Sequence, residues 1–165
     1  MIGLINYGSG NFKSVSNILK FLDINFKEIK FEKDFKDVSH LILPGVGSFL
    51  SLVEILKKKN LFEIIRYNIF EKKIFYLGIC VGMQILGDYG TELKKTDGFS
   101  LIDGSVEKIK TSKFLLPNIG WHKVNLKDKN NDLFKGIKPE EMFFYFVHSY
   151  SFLAKNKANI TSTIF

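Results

Sequence analysis

Cys80 is the only cysteine among 165 residues, and it sits in "FYLGICVGMQIL" at 75–86 with Gly78 and Gly82 two residues to either side. An apolar run precedes it and a helical pattern follows. G-x-C-x-G between a strand and a helix is the cysteine form of the nucleophile elbow. Small residues on both flanks let the chain turn sharply, so the side chain stands exposed at the sheet edge. A helix starting at the elbow would aim its free N–H groups and positive end at the thiol and favour the thiolate. The N–H of Val81 lies where an oxyanion would form. A small buried cysteine is the other common fate of a lone thiol. The motif alone leaves acyl transfer, peptidase and redox-sensing chemistry open.

The elements around the elbow point to a parallel sheet. "IGLINY" (2–7), "NFKEIKF" (25–31), "HLILPG" (40–45) and "IFYLGI" (74–79) are short apolar or alternating runs, each expected as a strand. Helices are expected over 12–22, with Val15, Ile18, Leu19 and Leu22 as the core face, and over 49–59 and 61–71. Leu50, Val53, Leu56, Ile64, Ile65 and Ile69 would be buried there. "VGMQILGDY" (81–89) extends the series. Strands alternating with helices give an α/β fold covered on both faces, with ligands at the carboxyl ends of the strands. The turns "YGSGN" (7–11), "PGVGSF" (44–49) and "GICVG" (78–82) all fall there. Beyond about residue 100, "SVEKIK", "IGWHKVNL", "MFFYFVHSYSFL" and "NITSTIF" read as strands with turns between them.

The length suits one domain with a substantial core, rich in its 17 Phe residues. The opening residues lack a basic start and a long apolar stretch, so a cytoplasmic location is expected, and a single cysteine excludes an internal disulfide. The net charge is +7, but 23 of the 24 basic residues are Lys and only Arg66 is Arg. Base readout leans on Arg, and these lysines are scattered as a solvated surface would have them. No metal cluster or phosphate-cradling loop is visible, so no cofactor is expected.

"GICVGMQ" together with "LPGVGSF" resembles the class I glutamine amidotransferases. "INYGSGNFKSV" and "PNIGWHKV" (117–124) look like their branch of imidazole glycerol phosphate synthase glutaminase subunits. The motifs run in family order from residue 2 to about 153. The resemblance implies a flavodoxin-like, mostly parallel open sheet with helices on both faces and a small antiparallel extension. It implies hydrolysis of glutamine to glutamate and ammonia, with Cys80 as the nucleophile that forms a thioester. The oxyanion would lie between the Val81 N–H and the Val46–Gly47 turn, with the Gly47 N–H supplied after a peptide reorientation. Gly45, Gln84 and Glu92 would hold the amino-acid end of glutamine, and the Ser149 and Tyr150 backbone its carboxylate. Glu92 read by itself is equally a surface acid beside two lysines. Asn11, Trp121, Tyr145 and His148 match positions facing a TIM-barrel cyclase subunit, to which ammonia passes in histidine biosynthesis. Composition alone would put Trp121 in the core.

The match also has a gap. The family's acid–base "HPE" motif is absent, so residues 1–165 are expected to form one amidotransferase domain that is incomplete at its C-terminal side and a poor glutaminase. A truncated normal subunit, an inactive binding subunit and His148 acting as substitute base all remain open, as does an ammonia supplier for surface-glycan sugars. A cysteine hydrolase or redox sensor is disfavoured by "INYGSGN" and "PNIGW". His40 is expected in a turn, and His122 stands where relatives carry Asn.

Overall fold

The computed structural model describes residues 1–8, 10–112, 115–126, 134–156 and 162–163. Strand β1 (Ile2–Ile5) leads through the 6–11 turn to helix α1 (Phe12–Phe21), then β2 (Phe26–Ile29) and β3 (His40–Gly45). Helices α2 (Phe49–Lys58) and α3 (Phe62–Phe70) precede β4 (Phe75–Cys80), which runs straight into α4 (Val81–Gln84). These strands form a parallel sheet in the order β2-β1-β3-β4.

Side chains alternate across this sheet because a strand has period two. Leu4 and Ile42 point to one face, where Leu19, Phe12 and Val15 of α1 cover them. Ile5, Leu41 and Leu43 point to the other, against Phe49, Leu52, Val53 and Leu56 of α2 and Phe62 and Ile65 of α3. Fully burying each such side chain contributes about 1.5–3 kcal/mol. The core face of α1 differs from the expected one. Ile18 and Leu22 are exposed while Ser16 is buried, because positions 12, 15, 16 and 19 form the stripe that meets the sheet. His40 is the first residue of β3 rather than part of a turn, and its ring stacks on Phe75 at 4.9 Å.

Helix α1 reaches only part of its face. Leu77 lies beside Ile42 in the β3–β4 register, so β4 continues the same face. Nothing among the described residues covers it there, and Phe75, Leu77 and Ile79 are 70%, 49% and 40% exposed.

The remainder is largely antiparallel, as expected. Strands β5 (Tyr89–Gly90), β6 (Thr96–Asp97), β7 (Gly104–Lys108) and β11 (Tyr150–Ala154) make a second sheet in the order β11-β7-β5-β6. Strand β8 (Asn118–Lys123) pairs with β10 (Phe143–His148) as a two-stranded ribbon, and β9 (Asn125–Leu126) pairs with β12 (Ser162–Thr163). The "NITSTIF" strand lies outside the described residues apart from β12. Among the described residues no helix is long and apolar enough to cross a membrane.

Candidate functional site

Strands β3 and β4 end flush, with Gly45 opposite Cys80 in the register. That alignment brings the 45–47 turn beside the thiol. Cys80 has φ 56° and ψ −117°, the backbone of the first central residue of a type II′ turn. A non-glycine residue there is strained, and such strain clusters at functional sites. Three glycines make the turn possible. A Cβ on Gly82 would lie 2.1 Å from the Leu43 carbonyl oxygen, one on Gly78 2.4 Å from Gly82 O, and one on Gly45 2.3 Å from Gly82 N. Backbone packs directly on backbone, leaving the Cys80 side chain exposed at the corner.

The helix behind the thiol is shorter than expected. Helix α4 spans Val81–Gln84 and the chain then turns toward β5, so Asp88 and Tyr89 are not helical. The carbonyls of Ile85, Leu86 and Gly87 accept from Phe99, Leu101, Ile102 and Ser100 instead of from a continuing helix. One turn offers the thiol its own N–H groups and not the macrodipole of a long helix. The Tyr76 hydroxyl, on the Cys80 face of β4, donates to the Gly82 carbonyl at 2.6 Å and pins this turn. Burial holds its pKa well above the ordinary tyrosine value. Nothing in the sequence marked Tyr76 except its even spacing from Gly78 and Cys80.

A cavity of about 320 Å³ opens at the elbow. Cys80, Val81, Gln84, Glu92, Gly47, Ser149, Tyr150 and His148 line it, joined by Pro117 and Val147, which the sequence did not single out. Gly47 has φ +89° with open space where a Cβ would be, while Val46 beside it is exposed. Gln84 is buried, and its side-chain amide donates to the Tyr150 carbonyl at 3.1 Å. Glu92 is anchored rather than loose. One carboxylate oxygen accepts from the Phe49 N–H at 2.9 Å, at the positive end of α2. Lys94 reaches Glu54 instead, at 3.5 Å.

His148 faces the cavity with both ring nitrogens engaged. Nδ1 lies 3.0 Å from the Tyr150 carbonyl, which can only accept, so Nδ1 carries the proton. Nε2 then accepts from the Asn118 amide at 3.1 Å. His40 and His122 do not line the cavity. Among the described residues no group of three or more His, Cys, Asp or Glu gathers as metal ligands do.

Asn11, Trp121 and Tyr145 lie outside the cavity lining. Asn11 is exposed at the start of α1. Trp121 and Tyr145 are cross-strand partners on the ribbon, edge to face with ring centroids 5.7 Å apart, and are 70% and 56% exposed. Trp121 is therefore no core residue. Ile119 and Val147 form the next pair on the same exposed face.

The pattern of "Glutamine amidotransferase class-I" matches residues 4–164. The chain belongs to the class I glutamine amidotransferases. A protein of Leptospira borgpetersenii named imidazole glycerol phosphate synthase subunit HisH is 37% identical over 164 residues, spanning 97% of this chain and 79% of its own. A protein of the same name from Caldanaerobacter subterraneus subsp. tengcongensis is 40% identical over 151 residues, spanning 91% and 72%. Among solved structures, PurLQS from Thermotoga maritima superposes with TM-score 0.69 at 17% identity, covering 98% of this chain and 72% of that one. A glutamine amidotransferase crystal structure gives 0.66 at 16% identity, covering 94% and 74%. These solved structures share the amidotransferase fold that the strand order describes.

Proposed function

We propose that this chain is the glutaminase subunit of an imidazole glycerol phosphate synthase, acting in histidine biosynthesis in the cytoplasm. The observation that carries the reading is a cavity that gathers an exposed, strained Cys80 with Gly47, Gln84 and Glu92. The Cys80 thiolate attacks the carboxamide carbon of glutamine. The oxyanion is held between the Val81 N–H and, after the Val46–Gly47 peptide reorients, the Gly47 N–H. The C–N bond breaks, the nitrogen leaves as ammonia with a proton taken from water, and the hydroxide left behind hydrolyses the glutamyl thioester to glutamate and frees the Cys80 thiolate. Glu92 meets the substrate ammonium with the oxygen that Phe49 leaves free, Gln84 shapes the floor, Gly45 packs beneath on Gly82 outside the lining, and the Ser149–Tyr150 backbone takes the carboxylate.

His148 does not serve as the base in this reading, since Nε2 is turned to Asn118. General acid–base help is worth about 10²–10⁴-fold. With no other histidine on the cavity among the described residues, residues 1–165 are expected to acylate more readily than they turn over. The ribbon face of Ile119, Trp121, Tyr145 and Val147, together with Asn11 and His148, supports docking of a TIM-barrel cyclase that receives the ammonia.

Incubation with labelled glutamine, acid quench and mass spectrometry test the reading. The expected result is a glutamyl adduct on Cys80, absent in Cys80→Ala, and ammonia release that rises when the cyclase and its nucleotide substrate are added. A protein that never carries the adduct refutes it.

A further inference from the structure

Two donors meet on one backbone oxygen at the rim of the cavity. The Tyr150 carbonyl accepts from the Gln84 amide at 3.1 Å and from His148 Nδ1–H at 3.0 Å, which engages both of its lone pairs. Its direction follows from the sheet. The neighbouring Ser149 carbonyl accepts from the Ile109 N–H at 2.9 Å, on the side of β7. Backbone groups alternate along a strand, so Tyr150 directs its carbonyl and its N–H together away from β7, off the outer edge of β11. That edge faces the cavity, since Gln84 and His148, which reach the carbonyl there, both line it.

An N–H beside a bare carbonyl oxygen is a poor seat for an anion, because the oxygen repels what the N–H attracts. With both lone pairs covered, that repulsion is masked. The cover depends on where His148 carries its proton. An imidazole with its proton on Nε2 would set the Nδ1 lone pair against the carbonyl oxygen, acceptor against acceptor. Asn118 opposes this. It is 5% exposed, lies opposite His148 in the β8–β10 register and outside the cavity lining, and gives its amide to Nε2 at 3.1 Å. A donor at one ring nitrogen keeps the proton on the other.

We propose that Asn118 is a positioning residue for the carboxylate of glutamine: by holding His148 with its proton on Nδ1, it keeps the Tyr150 carbonyl covered and the Tyr150 N–H fit to receive an anion. This rests on the glutaminase reading above. Asn118 then acts on the binding of glutamine and not on the chemistry at Cys80, which lies on a different sheet.

The test is Asn118→Leu in the full chain, which keeps the branched shape of the side chain and removes its donor. Two-bond proton–nitrogen correlation spectra of isotope-labelled histidine read the neutral His148 tautomer. The proton should sit on Nδ1 in the unmodified chain and on Nε2 in the variant. In single-turnover acylation of Cys80, the glutamine concentration giving half the maximal rate should rise about tenfold, as loss of a hydrogen bond serving a charged group does. The maximal rate, and the rate of Cys80 alkylation by iodoacetamide, should stay within about twofold, the signature of binding lost equally from ground state and transition state. A proton on Nε2 in the unmodified chain overturns the assignment without any variant. So does a proton still on Nδ1 in the variant, or a half-maximal concentration within about twofold of the unmodified value. A rise that comes with slower alkylation overturns it too, because it marks a packing role. An unmodified chain that iodoacetamide alkylates but glutamine never acylates fails differently: it removes the glutaminase reading, and the substrate role of Asn118 with it, whichever nitrogen holds the proton.

Discussion

The elbow and the β8–β10 ribbon are both rich in apolar residues, and they use them in opposite ways. At the elbow, Gly45, Gly78 and Gly82 let three stretches of backbone touch, with no space for even one methyl group. On the ribbon, Trp121, Tyr145, Ile119 and Val147 stand in solvent, and their removal leaves no cavity behind. The first region is fixed by the fold and the second by whatever meets it. The same residue types therefore lead to opposite expectations for mutation: elbow changes damage chemistry or folding, whereas changes at Trp121 and Tyr145, which lie outside the cavity lining, damage association alone.

The sharpest contrast is at the thiol. On the proposed mechanism, Cys80→Ala abolishes the glutamyl adduct and the turnover that passes through it, read by mass spectrometry and ammonia release. Cys80→Gly loses the same activity but also relieves the positive φ, so it should be more stable than Cys80→Ala by about 1 kcal/mol in denaturant unfolding. Equal stability for the two variants would mean that the corner is unstrained. Two residues along the chain, Gly82→Ala drives a Cβ into the Leu43 carbonyl. Overpacking costs about 1–3 kcal/mol where side chains can adjust, and backbone adjusts less. A loss of at least about 3 kcal/mol is expected, read from the urea midpoint.

On the ribbon, Trp121→Ala should leave the urea midpoint within about 0.5 kcal/mol and the Cys80 adduct unchanged. It should weaken cyclase binding by about 2 kcal/mol or more, nearly 30-fold, as truncation of a central aromatic anchor does. Titration calorimetry reads the affinity. A destabilised fold with undiminished binding would reverse the comparison.

How much of this was legible follows the same division. Strands β1, β3 and β4 could be read because apolar runs stop at Pro44, Gly45 and the 78–82 glycines, and the elbow because its flanking glycines have few other uses. The cavity residues Gly47, Gln84, Glu92, Ser149 and Tyr150 came through family resemblance, not through spacing. What stayed hidden depends on distant partners. Helix α4 stops after one turn because the 99–102 segment takes the carbonyls of Ile85, Leu86 and Gly87, which would have continued it. Glu92 is anchored by Phe49, 43 residues away. The exposure of Phe75, Leu77 and Ile79 reflects the reach of α1 across the sheet, which no local pattern encodes. Trp121 misleads composition because a tryptophan looks the same whether it meets a core or a partner.

The smallest expected effect lies on the seam between the two regions. Asp88 follows the elbow and ties it to the antiparallel sheet, accepting from the Gly104 N–H at 3.2 Å and from Lys155 at 3.1 Å. Those two donors, the amide first, hold its pKa below the ordinary value of 3.8. A carboxylate depressed by folding contributes stability that is complete above its unfolded pKa, and loses it as pH falls through the folded one. Asp88→Asn should therefore make the fall of Tm below about pH 4 shallower. Asp34 and Glu28, also depressed, keep an acid limb in the variant. Lys155 is raised by the same contact, so its share is lost only as pH climbs above 10.5. Its side chain is largely in solvent, and about 0.5 M salt should shrink the Asp88 difference through screening. If salt leaves the difference intact, the Gly104 amide alone sets the acid response, and the seam is held by a backbone hydrogen bond with no help from the lysine.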